Sequence, residues 1–239
     1  MGLVLGRTGI TVENGLTPAY KVLCSRPGYE VRCYPPYVVA EVSCPDQSKD
    51  SRGQAFTLLA KYIGVFGTPA NKARDGGSQA VAMTAPVLME PTEGKGQGGV
   101  KLAMTAPVTT EPLSQKMAFI MPSRFQSMRD LPAPTDPKVS LREVGERVVL
   151  AHQYSGNTPP EVLTHKTKQL LESVKADVLF AKWADDEKKV VTAGYNPPWT
   201  LPWLKRNEVW LPLPISRPDA EKMVADSQTA EASGRVLSR

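Results

Sequence analysis

The sequence predicts an α+β domain in which two helices pack against antiparallel sheet. Three observations predict it. Short apolar or alternating runs recur between turn residues, the pattern of strands with a buried face. Two of these runs are followed by a helix-start signal and an amphipathic stripe, so the order strand–strand–helix–strands runs twice along the chain. Prolines number 22 in 239 residues, nearly twice the average usage of about 5%. Proline removes a backbone donor and clashes with the preceding turn, which rules out long helices over most of the chain.

In chain order, residues 1–17 read as a loosely ordered arm, 18–214 as the body and 215–239 as a polar tail with one helical turn around Ala220–Ala225. The body opens on Tyr29-Glu30-Val31-Arg32-Cys33-Tyr34, which alternates in polarity. Pro35-Pro36 punctuates it, and Tyr37–Val42 resumes extended structure. Ser51-Arg52-Gly53-Gln54 is a capping-box pattern. Phe56, Leu59 and Ile63 share one helical face after it, and Gly64 supplies a stop, which predicts a helix over 52–63. In the second half, Val139–Val144 and Val148–Tyr154 read as strands. Thr158-Pro159-Pro160-Glu161 repeats the capping box with Pro at the first helical position. Leu163, Leu170, Leu171 and Val174 stripe a helix ending near Lys175. Strands are predicted at Val178–Trp183, Val190–Tyr195 and Glu208–Leu213, with Asp185-Asp186-Glu187 as a turn between two of them.

Composition bounds the function. Hydrophobic residues make up 41% and charged residues 22% of the chain, with a formal charge of +5. That supports a packed core in one large domain or two small ones. The basic residues occur as pairs, Lys188-Lys189 and Lys205-Arg206, without a cluster that would mark nucleic-acid binding. No apolar stretch is long enough to cross a bilayer. The start is too short and lacks the basic region of a signal peptide, and Gly6 replaces the Ser or Thr that a myristoylation site at Gly2 wants. The cysteines Cys24, Cys33 and Cys44 form no C-x-x-C and are odd in number, which supports neither a disulfide framework nor zinc, and points to a reducing compartment.

Between the halves lies a sharper repeat. Ala82-Met83-Thr84-Ala85-Pro86-Val87 recurs as Ala103-Met104-Thr105-Ala106-Pro107-Val108. Alternation predicts Met83, Ala85 and Val87 inward and Thr84 and Pro86 outward, with Pro marking an edge or strand end. Gly94, Gly96 and Gly99 between the copies fit G-x-G-x-x-G. Extended sequence follows instead of a helix, so a glycine-rich hairpin tip is expected, not a dinucleotide site.

These motifs together resemble the SOUL/heme-binding protein family. The resemblance rests on Tyr29-Glu30-Val31-Arg32, Ala60-Lys61-Tyr62-Ile63-Gly64, the MTAPV segments, Phe119-Ile120-Met121-Pro122, Pro132-Ala133-Pro134, Val139-Ser140-Leu141, Tyr195-Asn196-Pro197-Pro198-Trp199 and Arg206-Asn207-Glu208-Val209-Trp210. It covers about residues 18–214, and the doubled MTAPV is similar to plant and algal members. It implies a distorted antiparallel β-barrel flanked by two helices and built from pseudo-duplicated halves. It also implies non-enzymatic, non-covalent binding of heme or another porphyrin, as a carrier or buffer, in an apolar groove beside the first helix. Carried over, the lining is Phe56, Leu59, Ala60 and Ile63, with Lys61 and Arg52 near the propionates, and Trp199 with Lys205 or Arg206 covering one side. A flat apolar disc with carboxylates on one edge needs such a wall with cations at its rim. Any helix packed on a sheet would carry the same apolar residues, so core packing is the competing reading of Phe56, Leu59 and Ile63.

Heme iron takes His, Cys, Met or Tyr. No histidine lies near the Tyr-Glu-x-Arg segment, so the His-ligated mode of some animal members does not carry over. Cys33 is the candidate axial ligand, as a thiolate favoured by Arg32, against a small buried hydrophobe. Cys44-Pro45 is a weaker candidate, and His152 and His165 read as ordinary surface or hydrogen-bonded histidines. No nucleophile–base pair or paired carboxylates suggest catalysis. The rival function is a scaffold that keeps the fold and docks a protein partner through the tail or the basic surface. A cytoplasmic location is expected, with the plastid as the alternative.

Overall fold

The computed structural model describes residues 10–11, 18–46, 48–91, 115–185, 187–196 and 199–232. The elements, in chain order, are β1 (Ile10–Thr11), β2 (Tyr20–Arg26), β3 (Tyr29–Tyr34), β4 (Tyr37–Cys44), α1 (Lys49–Ile63), β5 (Asn71–Lys72), β6 (Val87–Pro91), β7 (Gln115–Ile120), β8 (Ala133–Pro134), β9 (Ser140–Val144), β10 (Arg147–Tyr154), α2 (Pro160–Lys175), β11 (Val191–Gly194), β12 (Asn207–Leu213) and α3 (Arg217–Ala232). Ten strands form one antiparallel sheet in the order β1-β2-β3-β10-β12-β11-β6-β7-β4-β9.

That order is palindromic about the β11·β6 pair. β12 and β7 flank it, then β10 and β4, then β3 and β9. The halves β3-β4-α1-β6-β7 and β9-β10-α2-β11-β12 therefore correspond, and the expected duplication is present. Register repeats as well: Arg32 lies opposite Val149, and its counterpart Arg142 lies opposite Val39. Side chains alternate across the curved sheet. One face encloses Tyr34, Tyr37, Val39, Leu88, Ile120, Val149 and Trp210. The other packs against α1 on the β4 and β7 side and against α2 and α3 on the β10 and β12 side.

Each half carries a charged cluster on the enclosed face. In one, Glu208 accepts from Arg32 Nη1 at 2.9 Å, Arg206 Nη2 at 2.9 Å, Tyr195 Oη at 2.9 Å and Trp210 Nε1 at 2.6 Å. In the other, Glu41 accepts from Lys116 at 2.6 Å and Arg142 at 2.7 Å, and Arg142 and Arg147 both reach Glu90 on β6. β9 and β10 are each several strands from β6 along the ladder, so these contacts need the sheet to curl round its interior. That is the distorted barrel. No pairing among the described residues closes the ladder.

Local departures from the sequence reading have physical causes. α1 starts at Lys49 because Ser48, not Ser51, caps it, accepting from Ser51 N at 3.1 Å. Its stop is as predicted: Gly64 sits at φ 89° and returns its N–H to Ala60 and Lys61. α2 starts at Pro160, and Pro159 occupies the cap without a side-chain bond, so the Thr158 capping box does not form. The strand predicted at 178–183 is a pair of tight turns instead. Asp177 accepts from Leu179 N and its carbonyl from Phe180 N and Ala181 N, which coils the chain and buries Phe180. The MTAPV alternation is reversed at its start: Thr84 and Pro86 are buried and Met83 is exposed, because Thr84 Oγ1 donates to the Ile120 carbonyl. The second MTAPV copy and the glycine-rich loop lie outside the described residues, as does most of the expected arm. β2 was not anticipated. It joins β3 through Pro27-Gly28, where Gly28 takes φ 91° and a Cβ would stand 2.6 Å from Ser173 Oγ on α2. The segment expected as a tail forms α3, which buries Ala220, Val224 and Ser227 and ties Glu221 to Lys21 of β2.

Candidate functional site

α1 packs on β4 and β7, which gives it two flanks. At about 100° per residue, Ala55, Leu59 and Tyr62 point into the sheet, and Leu59 is fully shielded at 0% exposure. Ala60 and Ile63 are buried with them. These three expected groove residues, Leu59, Ala60 and Ile63, are core in the described fold. Phe56 lies at the edge of that face. It is half-buried and meets Phe119 edge-to-face, ring centroids 5.5 Å apart. Beside it, the outer-face residues Val87 and Met89 of β6 are also half-buried and pack on the same cluster.

Arg52 is one turn before Phe56 on the same flank. Its Nε is buried with no hydrogen-bond partner among the described residues. Lys61 is exposed and projects roughly 140° from Phe56 around the helix, toward the opposite flank. The expected pair of rim cations is thus split, and Arg52 alone stands beside the Phe56 edge. Across β6 from α1, the turn at Glu187–Lys189 packs against β6 and β12. It carries Lys188 and Lys189, both exposed. The flank is therefore an apolar strip of Phe56, Val87 and Met89, with cationic side chains on both sides of its floor. Val87 and Met89 were not among the residues expected on this flank. The signal was present, since MTAPV runs straight into Leu88-Met89, but alternation alone did not say which face would stay open.

Two clefts lie elsewhere. One, of about 430 Å³, opens beside Pro18, Pro36, Tyr37, Thr84, Met121 and Phe125, and no charged side chain lines it. Burial pushes the Tyr37 phenol up to about 12, so it stays protonated and neutral there. The other, of about 690 Å³, follows the opposite flank of α1 past Gln54 and Leu58 and is lined by Asp46, Asp50 and Lys138.

The remaining site expectations fall outside the α1 flank. Cys33 faces the cluster under α2 and α3. Burial pushes its thiol up, and Arg32, one residue away on a strand, turns to the other face to meet Glu208 and Glu30. Cys44 is likewise buried, and burial raises its thiol too. His152 Nδ1 lies 2.6 Å from the Gly28 carbonyl, and His165 is exposed on α2. No group of three or more His, Cys, Asp or Glu is placed to hold a metal ion among the described residues. Trp199 and Lys205 belong to the β11–β12 loop, which is fastened to the turn after β10: Gly156 N donates to Pro202 O at 2.9 Å, and Lys205 Nζ to Asn157 Oδ1 at 2.9 Å. Among the described residues, no helix is long and apolar enough to cross a membrane.

Among solved structures, the chain is similar to the EcmrR C-terminal domain, at 9% identity and a TM-score of 0.49 over 77% of this chain and 96% of that one. It is also similar to an uncharacterized conserved protein from Listeria innocua, at 14% identity and a TM-score of 0.46 over 78% and 92%. No curated protein matches. A family model does, that of the SOUL heme-binding protein, over residues 16–212; with the palindromic sheet that this span encloses, the chain belongs to the SOUL family.

Proposed function

We propose that the protein binds heme or a related tetrapyrrole reversibly and without catalysis, on the β6 flank of α1. The observation that carries the proposal is the family match over residues 16–212. The flank supports the placement chemically. Phe56, Val87 and Met89 offer a flat apolar strip, and the half-buried Arg52 brings a guanidinium to its edge, a group suited to a propionate. Met89 brings a thioether, one of the side chains that ligate heme iron. The cleft on the other flank of α1 has no aromatic side chain in its lining to face a porphyrin ring, and the proline-lined cleft has no cation to receive propionates.

A hemin titration followed by absorbance tests this. Saturable one-to-one binding is expected. Phe56→Ala and Arg52→Glu should each weaken it about tenfold, the scale of one buried aromatic edge or one charge-assisted hydrogen bond. Met89→Leu should change the spectrum of the bound iron. Gln126→Trp, which fills the proline-lined cleft, should leave binding intact. Non-saturable binding, or equal affinity in all variants, would overturn the proposal.

A protein partner docking on the described part of the tail would meet the outer side of α3. α3 already spends its apolar side on the barrel, where Ala220 and Val224 are buried.

A further inference from the structure

The three most exposed large apolar side chains among the described residues, Trp199, Trp203 and Leu204, lie in one loop with Leu201. Between β11 and β12, Trp199 is 84%, Leu201 50%, Trp203 69% and Leu204 63% exposed. Scattered apolar exposure is ordinary, but large contiguous apolar exposure is informative. The loop is also built. Leu204 N donates to Leu201 O at 2.9 Å, Lys205 N to Pro202 O at 3.2 Å, Tyr195 N to Arg206 O at 3.2 Å and Arg206 N to Asn196 Oδ1 at 2.6 Å. These bonds hold the described part of the loop and anchor it to Gly156, while its apolar side chains stay exposed. From Gly194 to Asn207 the chain carries Lys205 and Arg206 and no acidic residue.

We infer that this loop seats the protein on an anionic lipid surface, with Trp199, Leu201, Trp203 and Leu204 entering the headgroup boundary and Lys205 beside the phosphates. Tryptophan suits that boundary because its ring is apolar and its N–H stays wet. The area argues against a second protein copy as occupant. At about 250 Å² per tryptophan, the two rings expose roughly 380 Å², and with Leu201 and Leu204 added the apolar patch still falls short of the ~800 Å² per partner of a stable protein interface. Lys205 complements an anionic surface, Arg206 being turned inward to Glu208, and the net charge of +5 has the same sign. The inference does not depend on tetrapyrrole binding.

The test is sedimentation of the full chain with phosphatidylcholine vesicles, with and without phosphatidylglycerol, together with tryptophan emission. Binding to the anionic vesicles with a blue shift is expected, because Trp210 is buried, Trp183 is half-buried against the α2 cluster, and the loop tryptophans have the most exposure to lose. Trp199→Ser with Trp203→Ser should reduce partitioning at least about tenfold and abolish the shift. Both sites are exposed, so the variant should melt like the parent; a lowered melting temperature moves the test to Leu204→Ser, where a several-fold loss is expected. Absent vesicle binding, or binding unchanged in these variants, would overturn the inference. So would a concentration-dependent dimer that the double variant disperses, since it would make the loop a contact between copies of the chain.

Discussion

Replacing Glu208 is the sharpest test of how the barrel interior is held. Glu208 is fully buried beside Arg32, which is 2% exposed. Burial works against its charge, but the Arg32 and Arg206 guanidiniums outweigh it and hold the carboxyl below its ordinary range. Glu208→Gln keeps the volume and one acceptor oxygen. It leaves Arg32 with Glu30 alone, at 2.8 Å from a partner that is 39% exposed, and turns an amide NH₂ toward the donors of Arg206 or Trp210. Removing one partner of a buried pair costs about 3–5 kcal/mol. For a chain of this size that lowers the melting temperature by roughly 6–20 °C. Urea unfolding followed by circular dichroism measures it. The pH dependence adds a second signature. A carboxyl lowered in the folded state contributes stability above its unfolded pKa, and that stability is lost as pH falls through the folded value. The parent should therefore lose stability in acid more steeply than the Gln variant. A cost below about 1 kcal/mol, or identical acid profiles, would refute the reasoning that this pair organises the interior.

Other outcomes follow from single contacts. Gly28→Ala should destabilise by about 1–3 kcal/mol, since φ 91° and the 2.6 Å approach to Ser173 Oγ both oppose a Cβ; Ser173→Ala should recover part of it in a double-mutant cycle. Ending the chain after Ser216 should lower the melting temperature by several degrees, because Ala220 and Val224 leave the core, whereas a free tail would cost nothing. Cys33 and Cys44 should resist thiol alkylation in the native state at neutral pH and react on unfolding, since both are buried and raised; mass spectrometry before and after denaturant reads this out.

Strands that form short apolar runs were legible from the sequence, and so were the helices whose apolar stripes spanned several turns. Tyr37–Cys44 and Arg147–Tyr154 are buried on both faces and read as apolar runs, and the Leu170 and Val174 stripe marked α2. α3 was not legible because its buried side is thin, Ala220, Val224 and Ser227 in a polar sequence. Its start was nevertheless written in Ser216-Arg217-Pro218-Asp219, where Ser216 Oγ donates to Asp219 Oδ2 at 2.6 Å. The site was half legible. Helical spacing put Phe56 on one face with Leu59 and Ile63, and the family resemblance added Arg52, but spacing cannot say which neighbour closes over a face. That is why Leu59, Ala60 and Ile63 proved to be core, and why Val87 and Met89 on a distant strand went unseen.

The palindromic sheet has a consequence for how such a chain could arise. The first strand of each half is not paired within its own half: β3 lies on β10, and β9 lies on β4. A chain carrying one half would have its β4-like strand bare until a second copy lent it that first strand, and its β6-like strand bare until the same copy met it. The monomer thus has the form of a strand-exchanged homodimer fused into one polypeptide. Separated halves should be insoluble alone and recover structure only when mixed.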